Sequence, residues 1–168
     1  MHSLVQPSSL VDPPTSGTIL LSRLLPVLDQ LSEDPSMLST MFKPGAAIIN
    51  NATPPQHPDP PQDVDDVGKR KRGIRATLLK EIRREIRRVY DIEIDNEHRI
   101  VLYDSKNTYT FIVPEGVDGD AVMCEAGAAE LERVPEGVEA GVGGWWVTEY
   151  RSWHDAQVIK HKRAELGL

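Results

Sequence analysis

The strongest constraint on the fold is a segment near the carboxyl terminus, residues 144–153, which holds all three tryptophans of the chain and a tyrosine between them. Aromatic residues mixed with valine and threonine, without helical spacing, favour a β-strand. Gly144 and the glycines before it mark a loop that leads into this strand. We therefore predict that a strand over 145–153 closes a folded α+β domain.

Strict alternation would divide the side chains of this strand between two faces. One set comprises Trp146, Thr148, Tyr150, Ser152 and His154, and the other comprises Trp145, Val147, Glu149, Arg151, Trp153 and Asp155. Each set mixes aromatic with polar side chains, so neither face is purely apolar. Either face could therefore line a binding pocket or an interface.

The composition indicates one intracellular globular domain. The chain has 168 residues, of which 39% are hydrophobic and 27% charged, which is enough apolar surface for one ordinary core. No run approaches about 18 apolar residues, and the amino terminus does not resemble a secretion signal. The single cysteine, Cys124, cannot form an intrachain disulfide and is expected to be a buried, inert thiol. We expect a cytoplasmic protein that does not bind membranes.

The first half of the chain is predicted to contain helices, a short strand and a long loop. Apolar residues at helical spacing follow Thr18, and Pro26 is expected to kink or break this helix. Asp34 and Pro35 resemble the start of a second helix. The predicted order is a flexible tail over 1–17, a helix from 18, a short helix from 35, a strand over 46–50, and a loop over 52–72 that is rich in proline and aspartate and then basic.

A strongly basic stretch follows. Ten basic residues and two glutamates lie between Lys69 and Arg88, whereas the whole chain carries a net charge of −7. Ile74, Leu78, Ile82, Ile86 and Val89 are spaced by steps of four, four, four and three, which predicts a helix that covers a sheet. The acidic remainder argues against nucleic-acid binding. Residues 69–72 could serve as a nuclear import signal, or more simply as a solvated start of the helix.

After Tyr90 the apolar spacing approaches two, which predicts antiparallel strands. Residues 104–107 have the composition of a hairpin turn, and Gly127 is expected to form a bulge. The predicted strands lie at 91–95, 98–104 and 108–113, with a further strand or pair within 121–134 and a loop over 135–144. A single domain over 18–160 would then end in a short tail, 161–168.

This order of elements, together with Gly144, Trp145, Val147 and Asp155, resembles the nuclear transport factor 2-like superfamily, including its SnoaL-like and scytalone-dehydratase-like members. Members often close with a glycine, a tryptophan, an aliphatic residue two positions on, and an aspartate after the strand. The resemblance covers about residues 18–160. It implies a curved antiparallel or mixed sheet wrapped around a long helix, a cone-shaped α+β barrel with an apolar pocket. It also implies frequent homodimers that form through the outer face of the sheet.

An enzyme of this kind would need a general acid or base that faces an apolar cavity. His154, Asp155 and His98 lie near strand ends and are the candidate catalytic residues. The non-catalytic alternatives are a surface imidazole for His154 and a capping carboxylate for Asp155. The candidate pocket-lining residues are Trp146, Tyr150, Tyr103 and Phe111. The five histidines show no ligand spacing, so we expect neither a metal site nor a cofactor.

Two functions stay open from the sequence, ahead of a third and weaker one, nucleic-acid binding through the basic residues of 69–88. The resemblance favours a small-molecule pocket protein, a cofactor-independent dehydratase, cyclase or isomerase that acts on an apolar metabolite of polyketide or terpenoid type. The alternative is a non-catalytic dimeric module of the same fold that binds other proteins. Large aromatic side chains serve both pockets and interfaces, so the composition does not separate the two.

Overall fold

The computed structural model describes residues 4–5, 14–29, 40–52, 62–63, 73 and 77–168. The strands are β1 (Leu4–Val5), β2 (Phe42–Ala52), β3 (Gln62–Asp63), β4 (Leu79–Glu93), β5 (His98–Phe111), β6 (Asp120–Arg133) and β7 (Trp145–His154). The helices are α1 (Ser16–Asp29) and α2 (Ala156–Glu165). The predicted second helix from 35 and most of the predicted loop over 52–72 lie outside the described residues, as do residues 69–72.

The strands form one curved, mixed sheet in the order β1-β4-β5-β6-β7-β2-β3. The pairs β1–β4 and β2–β7 are parallel, and every other neighbouring pair is antiparallel. Helix α1 lies against the concave face, where it contacts β4 and β5. The predicted fold class, a mixed curved sheet around a helix, is confirmed.

Helix α1 forms because its leucines return to one side of the helix. Leu20, Leu21, Leu24, Leu25 and Leu28 are at most 3% exposed and belong to the main core. Steps of one and three residues place them on a single face, as an amphipathic helix requires. The helix runs through Pro26, so the predicted break into two pieces is absent. Burial of leucines on both sides of the proline stabilises the helix against the backbone hydrogen bond lost there.

The amino end of α1 is fixed directly to the sheet. The backbone N–H of Gly17 donates to Oδ2 of Asp91 at 2.9 Å, and the same carboxylate accepts from Arg99 at 2.9 Å through Oδ1. A carboxylate at a helix N-terminus accepts a hydrogen bond from a backbone N–H group that has no partner within the helix, and its negative charge interacts favourably with the helix dipole. A Cβ at Gly17 would lie 2.4 Å from Cγ2 of Val101, so only glycine allows this close approach.

The predicted basic helix is wrong, because this part of the chain is the strand β4. Residues Leu79–Glu93 pair along their length with β5. Apolar residues spaced by four satisfy the period of a strand as well as that of a helix, and the β-branched isoleucines favour the strand. Several of its arginines lie beside carboxylates, including Arg88, which bonds Asp104. The structural basis for a basic nucleic-acid-binding helix is therefore lost within the described residues.

The predicted hairpin turn over 104–107 is also wrong, since β5 continues through it. Ser105 and Asn107 are 1% and 0% exposed, and the Ser105 hydroxyl donates to the Asn107 side chain at 2.9 Å. Residues that often form turns can lie within this strand because buried polar partners satisfy the hydrogen-bonding groups of their side chains. The turn between β4 and β5 lies instead at residues 94–97.

Gly127 does not form the predicted bulge. It pairs with Tyr103 in an uninterrupted stretch of the β5–β6 register. A Cβ at this position would lie 2.2 Å from the Tyr103 ring. The glycine therefore leaves space for the ring of Tyr103 to lie across β6.

A bulge occurs instead in β7, at Thr148. Leu131 pairs with Val147 and Glu130 pairs with Glu149, so Thr148 is the extra residue. A bulge of one residue reverses the alternation beyond it. Trp145, Val147 and Tyr150 therefore share the core face, and the two sets predicted by strict alternation are wrong.

Two further expectations need correction at the carboxyl end and on β6. Helix α2 crosses the predicted domain end at 160 and continues into the segment predicted to be a tail. Cys124 is exposed rather than buried, because it points away from the core between two buried neighbours, Met123 and Glu125. No helix among the described residues is long and apolar enough to cross a bilayer.

We expect the substitution Gly17→Ala to destabilise the protein by about 1–3 kcal/mol, because the added methyl group must displace Val101 or Asp91. Urea unfolding followed by circular dichroism would measure the change. The matched control is Gly73→Ala, where a Cβ meets no described atom within 4 Å. Equal stabilities of the two variants would contradict the docking of α1 described above.

Candidate functional site

Seven polar side chains converge on the concave face of the sheet beside the carboxyl end of α1. None is more than 9% exposed. They come from one helix and four strands, so the fold as a whole brings them together. We call them the buried polar cluster: Asp29, Arg84, Tyr103, Ser105, Asn107, Glu125 and Tyr150.

The guanidinium group of Arg84 lies at the centre of the buried polar cluster. Its Nε and one terminal nitrogen donate to the two oxygens of Asp29 at 2.8 and 2.9 Å, which is a bidentate ion pair. The other terminal nitrogen donates to Ser105 at 3.1 Å and to Oε1 of Glu125 at 2.5 Å. Burial alone would lower the pKa of this group, but the charges of Asp29 and Glu125 raise the Arg84 pKa well above its ordinary value. Arg84 is therefore a permanent buried cation.

The carboxylate of Glu125 is the main acceptor of the buried polar cluster. Besides the bond from Arg84, its Oε1 accepts from the Tyr103 hydroxyl at 2.8 Å. Its Oε2 accepts from the side-chain amide of Asn107 at 3.2 Å. Three donors from two strands thus fix the position of one carboxylate.

The hydroxyls of Tyr103 and Tyr150 are in hydrogen-bond contact with each other. Because Tyr103 donates to Glu125, its oxygen is available to accept from Tyr150. Burial raises the pKa of both tyrosines, and the nearby charge of Glu125 raises them further. Both hydroxyls therefore stay protonated at neutral pH and act as hydrogen-bond donors.

The acidic groups of the buried polar cluster are paired with its cation. The Arg84 guanidinium contacts two of them, Asp29 and Glu125. Charged groups can be held away from water only when they are paired and hydrogen-bonded in this way. The arrangement therefore holds two acidic groups close together within one hydrogen-bonded site.

Apolar residues border the buried polar cluster on both sides along the concave face. Towards the amino end of α1 lie Val101, Ala129 and Leu131 of the main core. In the other direction the register continues to Ala121 and Met123, which are at most 5% exposed. A band of polar groups between two apolar zones can orient an apolar molecule through a single polar atom.

The predicted pocket-lining residues separate into two groups. Tyr103 and Tyr150 belong to the buried polar cluster, and Phe111 is buried on the same face of β5, at 2% exposure. Trp146 lies on the opposite face, because the bulge at Thr148 separates it from Tyr150. There the ammonium group of Lys43 lies 5.8 Å from the Trp146 ring centre and contacts Glu132 at 2.7 Å.

The predicted catalytic residues occupy three different settings. His154 is half-buried and is the direct neighbour of Glu125 across the β6–β7 pair. Asp155 accepts a hydrogen bond from the backbone N–H of Gln157 at 2.9 Å and caps α2, which is the capping role considered for it as the alternative to catalysis. His98 is 56% exposed and bonds Asp95 at the turn. It pairs with Glu132, which lies seven residues or roughly 20 Å along β6 from Glu125.

Five members of the buried polar cluster were not predicted from the sequence: Arg84, Asp29, Glu125, Ser105 and Asn107. A signal for Glu125 was present, since it occupies an inward position between Met123 and Gly127 in an otherwise apolar alternation. Ser105 and Asn107 are likewise spaced by two, as residues on one face of a strand are. No group of three or more histidines, cysteines or acidic residues within the described ranges is arranged to hold a metal ion.

At the level of sequence, no protein-family model matches the chain, and no curated protein matches it either. Solved structures do match. The Kfla4162 protein from Kribbella flavida has a TM-score of 0.62 and 12% identity, over 86% of this chain and 95% of its own. The hexachlorocyclohexane dehydrochlorinase LinA-type3 from Novosphingobium barchaimii has a TM-score of 0.60 and 11% identity, over 83% of this chain and 84% of its own.

A nuclear transport factor 2-like superfamily protein from Salmonella enterica serovar Typhimurium has a TM-score of 0.55 and 12% identity, over 81% of this chain and 86% of its own. Identities this low carry the fold and not the function. The resemblance to this superfamily is confirmed at the level of the fold, although the predicted basic helix is the strand β4. The chain has the nuclear transport factor 2-like fold, with a curved mixed sheet around α1.

Proposed function

We propose that the protein is a cofactor-independent enzyme that transfers a proton on an apolar small molecule, in a dehydration, elimination, cyclisation or isomerisation. The observation that carries this proposal is the carboxylate of Glu125, buried and held by Arg84 and Tyr103. A carboxylate shielded from water and fixed in place is suited to act as a general acid or base. We therefore assign the acid–base role to Glu125 and not to Asp155 or His98, which were candidates from the sequence.

Each group has a distinct task in the proposed reaction. Glu125 takes a proton from a carbon atom of the substrate, and the electron pair left behind forms a double bond. In an elimination the leaving group departs with its electrons, whereas in an isomerisation Glu125 returns the proton to another carbon. Tyr150 turns its hydroxyl proton from Tyr103 to the substrate oxygen on which charge develops. Arg84 holds Glu125 in position and keeps its own proton.

Two further observations support the proposal. The same fold occurs in a hexachlorocyclohexane dehydrochlorinase, so it is compatible with an elimination reaction. The apolar residues on both sides of the buried polar cluster, including Phe111 and Met123, favour a substrate with a largely apolar skeleton. A polyketide- or terpenoid-type metabolite has this character.

A nitrobenzisoxazole tests the base directly, because removal of one carbon-bound proton opens its ring and releases a coloured phenolate. We expect the protein to accelerate this reaction and Glu125→Gln to lower the rate at least about 100-fold, since the amide cannot accept the proton. Glu130→Gln is the matched control, an exposed carboxyl group on the same strand and the opposite face. Equal rates for the Glu125→Gln variant and the unmodified protein would show that Glu125 is not the base.

The tyrosine donors give a second prediction, which concerns pH. The pKa values of Tyr103 and Tyr150 are raised in the folded state. Their contribution to stability is therefore complete below about pH 10, where unfolded tyrosine begins to ionise, and is lost as pH rises further. We expect at least two of the four tyrosines to resist ionisation in the native protein when phenolate absorbance is followed.

In denaturant all four tyrosines should ionise near pH 10, which provides the reference titration. The double variant Tyr103→Phe with Tyr150→Phe should lose two of the resistant tyrosines, whereas Tyr109, whose pKa is also raised by burial, should stay resistant. Native and denatured curves that coincide would show that these hydroxyls are not buried donors.

The second candidate function is a dimeric interaction module, and the outer face of the sheet favours it. On this face four large apolar side chains are 37–55% exposed, and we call them the convex apolar patch: Tyr90, Ile92, Leu102 and Trp153. Tyr90 and Leu102 are direct cross-strand neighbours. A patch of this kind is typical of an interface with a second copy or another protein.

Size-exclusion chromatography with light scattering tests the self-association that this candidate predicts. We expect a species of twice the chain mass, and we expect Trp153→Ala combined with Leu102→Asp to reduce it to a monomer. A double change at exposed loop residues, Val117→Ala with Val138→Ala, serves as the control. A monomer before and after both changes would remove this candidate.

A further inference from the structure

One side chain links the interior of the buried polar cluster to its edge. Glu125 is 5% exposed, so a proton that it receives does not reach water directly. His154 is paired with Glu125 in the register of β6 and β7 and is only half-buried. Side chains of directly opposed residues lie on the same face, with Cβ atoms about 4.5–5.5 Å apart.

The position of His154 on β7 follows from the bulge at Thr148. Beyond the bulge, Tyr150, Ser152 and His154 point to the concave face, and burial decreases towards the end of the strand. The strand ends there because Asp155 caps α2. His154 therefore lies at the end of the strand, opposite Glu125 in the register.

We propose that His154 relays protons between the carboxyl group of Glu125 and solvent, a role that rests on the proposed function of the cluster. In the step itself, protonated Glu125 gives its proton to one ring nitrogen of neutral His154. The imidazolium then releases the proton of its other ring nitrogen to water, and Glu125 is again a carboxylate. Proton exchange with water then returns His154 to its starting tautomer, so that the ring nitrogen facing Glu125 can accept a proton again, and no co-reactant other than water is needed.

The charges around His154 suit a group that accepts and releases protons. Glu125 faces it from β6 and favours the imidazolium, with Arg84 of β4 behind this carboxylate. The amino end of α2 follows directly and disfavours a positive charge. Asp155, the next residue, adds a carboxylate at that helix end. An imidazole exchanges protons with water near neutral pH, as the proposed relay requires.

The first experiment uses no substrate and measures the pKa of His154 by NMR of the imidazole signals. His154→Gln identifies the signal by its loss. Replacing Glu125 by glutamine removes an adjacent negative charge, so we expect the His154 pKa to fall by about half a unit or more. Glu130→Gln should leave it unchanged. An unchanged pKa in Glu125→Gln would overturn the relay whether or not the protein is an enzyme.

The second experiment separates the relay from the chemistry by stopped-flow kinetics with nitrobenzisoxazole. We expect His154→Gln to complete its first turnover at the normal rate and to slow by roughly tenfold in later turnovers. Added imidazole should restore the later turnovers, and His161→Gln on the surface of α2 is the control. Later turnovers at the normal rate, or an equal slowing of the first turnover, would contradict the relay.

The two proposals fail in different ways. If Glu125→Gln turns over normally, the proposed function of Glu125 is wrong, and the NMR titration alone then decides whether the two residues are coupled. If Glu125→Gln is inactive while His154→Gln is normal in every turnover, Glu125 stays the base and the relay is wrong.

Discussion

The arrangement of the concave face depends on one buried cation. Arg84 binds Asp29 at the end of α1, Ser105 on β5 and Glu125 on β6, so a single guanidinium holds one helix and three strands in register. Taking these charges out of water is costly, and the attraction between them offsets the cost only when each hydrogen bond is well made. Removal of any one partner would leave the others buried and uncompensated. The interaction therefore fixes the geometry of the site more than it adds to stability.

The two ends of α1 are attached to the sheet by related means. At the amino end a carboxylate, Asp91, receives a backbone N–H group of the helix, and at the carboxyl end the helix supplies the carboxylate, Asp29, to Arg84. The leucine face between these points fills the main core. Polar groups thus lie at both ends of the helix, and those at the carboxyl end meet Glu125 and the two tyrosines. They form a polar band between apolar zones, where the proposed reaction on an apolar molecule would take place.

The sequence predicted those elements whose signals are local. The leucine spacing of α1 and the aromatic segment of β7 each determine one element without help from the rest of the chain. Prediction from the sequence was wrong where the interacting partners are distant along the chain. Ser105 and Asn107 were predicted to form a turn because their partners, Arg84 and Glu125, lie 21 and 18 residues away. The segment of β4 was predicted to be a helix because residues spaced by four fit the period of either element, and it is a strand because it pairs with β5. The bulge at Thr148 leaves no mark in the sequence, yet it determines that Tyr150 and His154 face Glu125.

The proposed function requires the buried polar cluster to bind the reacting part of a small molecule, in addition to attaching α1 to the sheet. A crystal structure of the protein soaked with a nitrophenol, whose ring and oxygen resemble an apolar enolate, would show such binding. We expect the phenolic oxygen within about 3 Å of the Tyr150 hydroxyl, with the ring against the apolar residues beside Glu125. An unaltered cluster, with nitrophenol absent or bound elsewhere at saturating concentration, would rule this binding out.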